Sequence, residues 1–346
     1  VKKKGLLIVV FIAMLIVFDY IVPNVDISKR AVVIGIGLDE DEGKMLVSAQ
    51  ILSRKKKEIG FEFYSAKGDD FDNCVANLSA KVGAELSLAH TLCLVVGESP
   101  KAVQSLDKIA KAGMLSDSCY VFVAGEKAGE IVQMVDKSNM PIVKILRDSA
   151  NMNKQEIGIS MCNMREYLCD SSAVGGCVNI PIVEVQSKEQ GEELACKSSL
   201  LVKASQPKYR LDDKANVGIT LVESKVLGSS LYVPTVDTTF QIYSAKLAFA
   251  SPSVDKVGLT MNVKATNQGK SLSEREREEL SEYIKEILYH SLSESITHNL
   301  DYLKLGQKIK AKHPKEWKDG QDYLQNLDVQ VVVKIVLQRL TISAFC

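Results

Sequence analysis

Aromatic side chains are scarce in this chain, and Trp317 is its single tryptophan. A platform for stacking bases or sugars is therefore not indicated. Neither sign of charge is in excess, because 43 lysines and arginines stand against 43 aspartates and glutamates. A balanced chain lacks the basic stripe that nucleic-acid binding requires. The eight cysteines form no C-x-x-C pair, which argues against a zinc knuckle and a thioredoxin-like centre. No repeat with a period of about 20–50 residues is found, so a solenoid is excluded. G-x-S-x-G and H-E-x-x-H are both missing, and with them the signatures of a serine hydrolase and a zinc protease.

The chain does have one long apolar run. Lys2, Lys3 and Lys4 precede Gly5–Phe18, Asp19 interrupts, and the run extends to Pro23. A membrane-spanning helix takes about 20 apolar residues, and the eighteen positions from Gly5 to Val22 suffice for a thin bilayer. A cleaved signal peptide also has a basic start and a short apolar core, but the exit FDYIVPNVD lacks small residues of the A-x-A kind. A buried core helix would need a polar face, which the run does not have. An uncleaved signal anchor at residues 1–23 is the expectation, with the lysines inside and the body extracytoplasmic. Lys29 and Arg30 oppose that bias from the other flank.

Beyond Pro23 the chain alternates strand and helix patterns. Ala31–Leu38 and Lys44–Leu52 read as a β-hairpin around the acidic turn Asp39–Gly43. Further strands are expected near Phe61–Tyr64, His90–Gly97, Cys119–Ala124 and Val178–Val185. Helices are expected over Asp69–Leu86, Lys127–Val135, and from Ser99-Pro100 to Met114. The polar stretch Ser187–Glu193 reads as a boundary. After it come the strand candidates Ser199–Ala204, Gly218–Ser224, Thr239–Ala250 and Val257–Ala265. The capping box Ser273–Glu276 opens a long helical region with a stripe of Leu280, Ile284, Ile287, Leu288, Ile296 and Leu303. Its basic end, Lys308–His313, stops at Pro314. Val329–Leu337 alternates as a half-buried strand. The fold class is α+β, with mixed sheets packed with helices behind a membrane helix. Its regions are 24–190, which has room for two subdomains, and 191–346.

No catalytic constellation, cofactor site or metal site follows from these residues. Gly35-Ile-Gly37 follows a strand, but an acidic turn stands where a dinucleotide motif has a third glycine and a helix. Close packing or a bulge is the better reading. Asp39–Glu42 lacks the ligand spacing of a calcium loop and reads as a solvated hairpin tip. Ser105–Lys108 matches S-x-x-K without the partner motifs. His290 and His298, with Glu294 between them, read as surface or packing residues rather than zinc ligands, as do His90 and His313. Cys93 and Cys119 sit in apolar runs as small hydrophobes. Cys162, Cys169 and Cys177 are close enough in sequence to pair, while free buried thiols are the simpler reading.

Several segments, in order, resemble one family. AVVIGIGLDEDEGKMLVSAQIL is similar to the opening strands of the Ger(x)C family, the C subunits of GerA-type spore germinant receptors. ELSLAHTLCLVVGES matches at His90, Gly97 and Glu98, and CYVFVAGEKAGEIVQM at Gly125, Ala128 and Ile131. Near the end, Asp301, Leu303, Leu305, Gly306, Pro314, Lys315 and Trp317 fall at the family's positions. The resemblance implies a multi-domain α+β protein on the outer face of the spore inner membrane. Its partners would be a polytopic A-type subunit and a transporter-like B-type subunit, and it implies no enzymatic activity. Asp301 and Trp317 then fix the packing of the last helix and strand. The family's C subunits are usually lipoproteins. Here the first cysteine is Cys74, which leaves attachment to the spanning segment. From the residues alone, a structural or adhesive envelope protein and a tethered hydrolase with an unrecognised site remain the alternatives.

Overall fold

The computed structural model describes residues 30–53, 60–151, 160–188, 191–226, 228–318 and 322–336. The anchor expected at 1–23 lies outside them, and among the described residues no helix is long and apolar enough to cross a membrane. Strands β1 (Arg30–Asp41) and β2 (Lys44–Ser53) form the expected antiparallel hairpin. Its turn residues Glu42 and Gly43 both have positive φ, 51° and 75°, the I′ geometry that suits twisted strands. β3 (Gly60–Gly68) pairs with β2. On the other side of β1, β5 (Cys93–Gly97), β6 (Tyr120–Ala124) and β8 (Cys177–Lys188) follow in parallel. β9 (Gly191–Lys203) and β10 (Gln206–Leu211) close the sheet antiparallel. The order is β10-β9-β8-β6-β5-β1-β2-β3, with β4 (Glu85–Ser87) beside β1 and β7 (Cys162–Asn163) beside β6.

Helices cover both faces of the parallel centre, which is why β5 and β6 are apolar without alternation. On one face α1 (Phe71–Val82), α2 (Pro100–Ala112) and α5 (Met164–Ser171) pack on Leu94, Val96 and Val121. On the other, α3 (Ala128–Gln133) and α4 (Ile142–Asn151) pack on Cys93, Val95 and Phe122. A second, four-stranded sheet has the order β11-β12-β13-β14. Its strands are β11 (Ser229–Val233), β12 (Thr238–Ser253), β13 (Lys256–Thr266) and β14 (Asp328–Val336). The last pair is parallel, so the chain crosses over between β13 and β14 through α7 (Glu274–Thr297) and α8 (Leu305–Lys312). These helices and α6 (Asp213–Val222) bury Phe240, Met261, Leu280 and Ile284 together with Cys177 and Leu201 of the first sheet. The two sheets therefore share a core.

Open strand edges invite pairing with other chains, and here side chains occupy two of them. Lys312 Nζ and His313 Nε2 reach the carbonyls of Phe249 and Ser251 on β12, at 3.0 and 2.7 Å. Ser281 Oγ donates to the Val333 carbonyl of β14 at 3.2 Å, and Val331 N–H donates to Tyr289 Oη at 3.4 Å.

Several expectations change. Gly218–Ser224 is not a strand but the end of α6 and its cap, because Asp212 accepts from Ala215 N–H and starts a helix there. The long helical region is two helices. α7 ends at Thr297, and Leu303 lies in the connection to α8. α1 stops at Gly83, which takes the left-handed φ of 70°, so Leu86 belongs to β4. The stretch Asn151–Ser172, whose pattern is less regular, contains α5 over Met164–Ser171. The polar stretch read as a boundary lies on the β8–β9 hairpin, which is paired up to Lys188 and Gly191; the pairing leaves the division into regions 24–190 and 191–346 as it was.

Asp39 is not part of a solvated tip. Only 8% exposed, it accepts from the backbone N–H groups of Ala128 and Gly129 at 2.9 and 2.8 Å. Those amides begin α3 and have no partner within the helix. A Cβ on Gly37 would lie 2.9 Å from the backbone of Ala128 and Gly129, and one on Gly35 would lie 2.6 Å from Val143. Both glycines thus serve close packing, and a register shift lies between Val33 and Gly35. The rest of the tip is exposed, with Lys67 pairing to Asp41 at 2.6 Å. Asp39→Asn is expected to lower the free energy of unfolding by about 1–3 kcal/mol, read from urea titrations. Glu40→Gln, at the exposed neighbouring position, should change it by less than about 0.5 kcal/mol.

Candidate functional site

Where the second sheet's helices meet the first sheet, a cleft of about 330 Å³ opens. Helix α5 contributes Glu166 and Asp170, four residues apart and so on one helical face. The end of α6 contributes Glu223, and Lys225 follows it. The connection before α8 contributes Tyr302, Leu303 and Lys304, and α8 itself Lys308. β8 places Asn179 on the floor, facing away from its neighbours Val178 and Ile180 in the first core.

The charges form a chain across the cleft. Lys225 Nζ lies 3.1 Å from Glu166 Oε1 and 3.1 Å from Glu223 Oε2. Lys304 Nζ lies 3.1 Å from Glu223 Oε1 and 2.9 Å from Asp170 Oδ1. Ser160 donates its hydroxyl to Glu223, and Lys225 also donates to Ser160 Oγ and the Met161 carbonyl. Burial by itself would raise the Glu223 carboxyl, but Lys225 and Lys304 outweigh it and hold the group below the usual glutamate value. Burial likewise opposes the charge on both lysines, yet their carboxylate neighbours raise them. Asp170 goes the other way, because burial outweighs its pairing with Lys304. Lys304 has φ 58°, a conformation that costs a non-glycine residue about 1–2 kcal/mol. That backbone geometry is held by what surrounds it.

Part of the surroundings is Asp301. It is 3% exposed and accepts from Leu305 and Gly306 N–H at 2.8 and 2.7 Å and from the Tyr323 hydroxyl at 2.5 Å. A Cβ on Gly306 would meet that hydroxyl at 2.4 Å. Trp317 packs on Tyr323 with ring centroids 4.9 Å apart. Asp301, Leu305, Gly306 and Trp317, quoted above for the family pattern, join Tyr323 in fastening α8 to the segment before β14.

The side chains weighed in the sequence do not converge. Ser105 gives its hydroxyl to the Lys101 carbonyl within α2, and Lys108 is exposed. His290 contacts Asp212 at 2.8 Å, and His298 stacks on Tyr209 with centroids 3.7 Å apart. Among the described residues no three metal-ligating side chains cluster. The seven described cysteines are free thiols, five of them buried. The charge chain was not anticipated. Its traces in the sequence are Lys304 between two leucines and Asn179 inside an apolar strand.

Cutting this chain has a price in stability. Lys304→Met is expected to cost about 2 kcal/mol, less than the ~3–5 for a fully buried pair, because these side chains keep 17–30% exposure. The pH dependence carries a sign. The folded-state value of Glu223 lies below its ordinary 4.5, so its contribution is complete above that pH and fades as pH falls through the folded value. Urea titrations should therefore show wild type ahead of Glu223→Gln near about pH 7, with the gap closing below pH 4.5.

Comparison with known proteins bears on the whole chain. Residues 23–185 match the family model for the spore germination protein N-terminal domain. Residues 198–341 match the model described as spore germination B3/GerAC like, C-terminal. No curated protein matches by sequence. Among solved structures, the crystal structure of the GerBC protein shares the fold with a TM-score of 0.50 at 13% identity, covering 87% of this chain and 97% of that one. The chain belongs to the GerAC-like family of spore germination proteins, the C subunits of GerA-type germinant receptors.

Proposed function

We propose that this chain is a non-enzymatic, membrane-anchored subunit of a germinant-receptor complex in spore germination. Residues 1–23 act as an uncleaved signal anchor, and the body, in regions 24–190 and 191–346, works outside the cytoplasm at the spore inner membrane. Its partners are a polytopic A-type and a transporter-like B-type subunit, and it needs no cofactor. The observation that carries this reading is the match of both family models in chain order. The first matched region begins at residue 23, where the apolar run ends, which supports an anchor preceding the body.

The chemistry of the body supports a scaffold more than a catalyst. Of the carboxylates in the family-pattern segments, Asp39 and Asp301 are engaged on backbone amides and Glu98 on Arg210, and those of the cleft are engaged on lysines. A general acid or base needs a group within reach of substrate and tuned toward the working pH. Glu223 is instead held ionised by two ammonium groups.

Two measurements test the reading. Deletion of the gene should slow or abolish germination to at least one nutrient, and unchanged germination to every nutrient tested would contradict a receptor role. The mature protein should appear in the membrane fraction with its N-terminal segment intact by mass, and a soluble, shortened product would rule out the signal anchor.

A further inference from the structure

The second sheet segregates its charges. Inward positions such as Phe240, Met261 and Val331 pack beneath the helices. The alternate positions turn outward, with Lys246, Ala248, Lys264, Val332 and Lys334 exposed. In a chain whose charges balance overall, strands β11–β14 hold four lysines and one acid. That acid, Asp328, stands opposite Lys256. The other three lysines gather on the outward face. Lys246 and Lys334 flank Asn262 in one row across β12, β13 and β14, and Lys264 lies two positions beyond Asn262. Strands about 4.8 Å apart put the three Cα atoms within about 10 Å of one another. Among the described residues none of the three makes an ion pair or hydrogen bond. Like charges grouped on one face repel and so oppose folding. A lysine on an edge strand keeps other strands away, which accounts for Lys334 but not for Lys246 and Lys264 on the two central strands.

A partner for this face must be anionic, and the side chains around the lysines say of which kind. Protein interfaces are depleted in lysine and draw their strongest contacts from residues such as tryptophan and arginine. These four strands contain neither tryptophan nor arginine. The lysines are instead bordered by Ala248, Val332 and Val336, and by Tyr243, whose hydroxyl donates to Gln241 on the same face at 3.0 Å. Such a mixture on an open sheet face suits lipid headgroups. Tyrosine settles at the membrane–water interface, and a flexible ammonium can follow mobile phosphates. Each lysine close to an anionic bilayer favours the bound state about fivefold. A chain anchored through residues 1–23 also keeps the bilayer at high effective concentration.

We propose that the outward face of β12–β14 docks on the anionic lipid headgroups of the bilayer that holds the anchor, with Lys246, Lys264 and Lys334 against the phosphates. This inference rests on the anchored reading above, which assigns no face of the body to the bilayer. The test uses full-length protein transferred from detergent into vesicles of phosphatidylcholine alone, or of phosphatidylcholine and phosphatidylglycerol in equal parts. Lysine acylation is then followed residue by residue by mass spectrometry. Lys246, Lys264 and Lys334 should react at least about threefold more slowly in the mixed vesicles than in the neutral ones, while Lys108, exposed on α2, should react alike in both. The protection should vanish at about 1 M salt, where the Debye length falls to about 3 Å. Equal acylation of the three lysines in both lipids would overturn the docking face with the anchor intact. Slow acylation in detergent that deepens with protein concentration would place a second copy on the face and overturn it too. Flotation reads the anchor separately. Protein that floats with the mixed vesicles alone would contradict the anchor, and the face would stand if combined Lys246→Gln, Lys264→Gln and Lys334→Gln abolishes that flotation and fall if it does not. Protein that floats with neither would contradict both.

Discussion

A helix begins with backbone amides that have no partner of their own. In this protein a buried carboxylate answers two such amides at the start of α3, and another does so at the start of α8. Asp39 supplies the acceptors for α3 from 89 positions away, and Asp301 supplies them for α8 from just upstream. Each uses both carboxylate oxygens on two adjacent amides, so one side chain satisfies donors that burial would otherwise leave stranded at about 1–3 kcal/mol apiece. The architecture leans on both. α3 covers one face of the parallel strands, and α8 carries Lys308 and sets the position of Lys304. In many α/β proteins a helix start at the carboxyl end of a strand is where a phosphate sits. Here a protein carboxylate holds that place beside β1, which agrees with the acidic turn that made a dinucleotide fingerprint improbable.

The family-pattern residues take on physical roles in that light. Gly37 lets the start of α3 approach β1, and Gly306 makes room for the Tyr323 hydroxyl that also binds Asp301. Caps of this kind need only a few identities, whereas the cores need only apolar volume. That division suits a fold shared with the GerBC crystal structure at 13% identity. It also explains how residues in recognisable order can identify a family without marking a catalytic centre.

Much of the architecture was legible in the sequence. Alternation gave β1, β2 and β14, Ser99-Pro100 opened α2, and the Ser273–Glu276 capping box forms with both of its hydrogen bonds. The misreadings have particular causes. Gly218-Ile-Thr-Leu-Val looks like a strand, but the Asp212 cap starts a helix and the close contact of Gly218 with Ser291 packs it on α7. Leu303 kept the helical period of α7 by coincidence, since Asn299 and Lys304 take positive φ and break the helix. The charge-rich run at 187–193 lies on the β8–β9 hairpin, between the two regions that the family models match. The cleft was invisible because its charges come from three separate segments, around Glu166, Glu223 and Lys304, and no local pattern reports such a meeting. Asp39 read as surface for the same reason, its partners lying on α3.

The roles of Asp39 and Asp301 are tested most directly by hydrogen exchange at single-amide resolution. First-turn amides of a helix exchange fast when only water meets them. If the two carboxylates hold these helices, the amides of Ala128, Gly129, Leu305 and Gly306 exchange as slowly as those of the core strands β5 and β6. Exchange at the rate of an exposed, frayed helix start would show that neither carboxylate is the cap on which the fold depends.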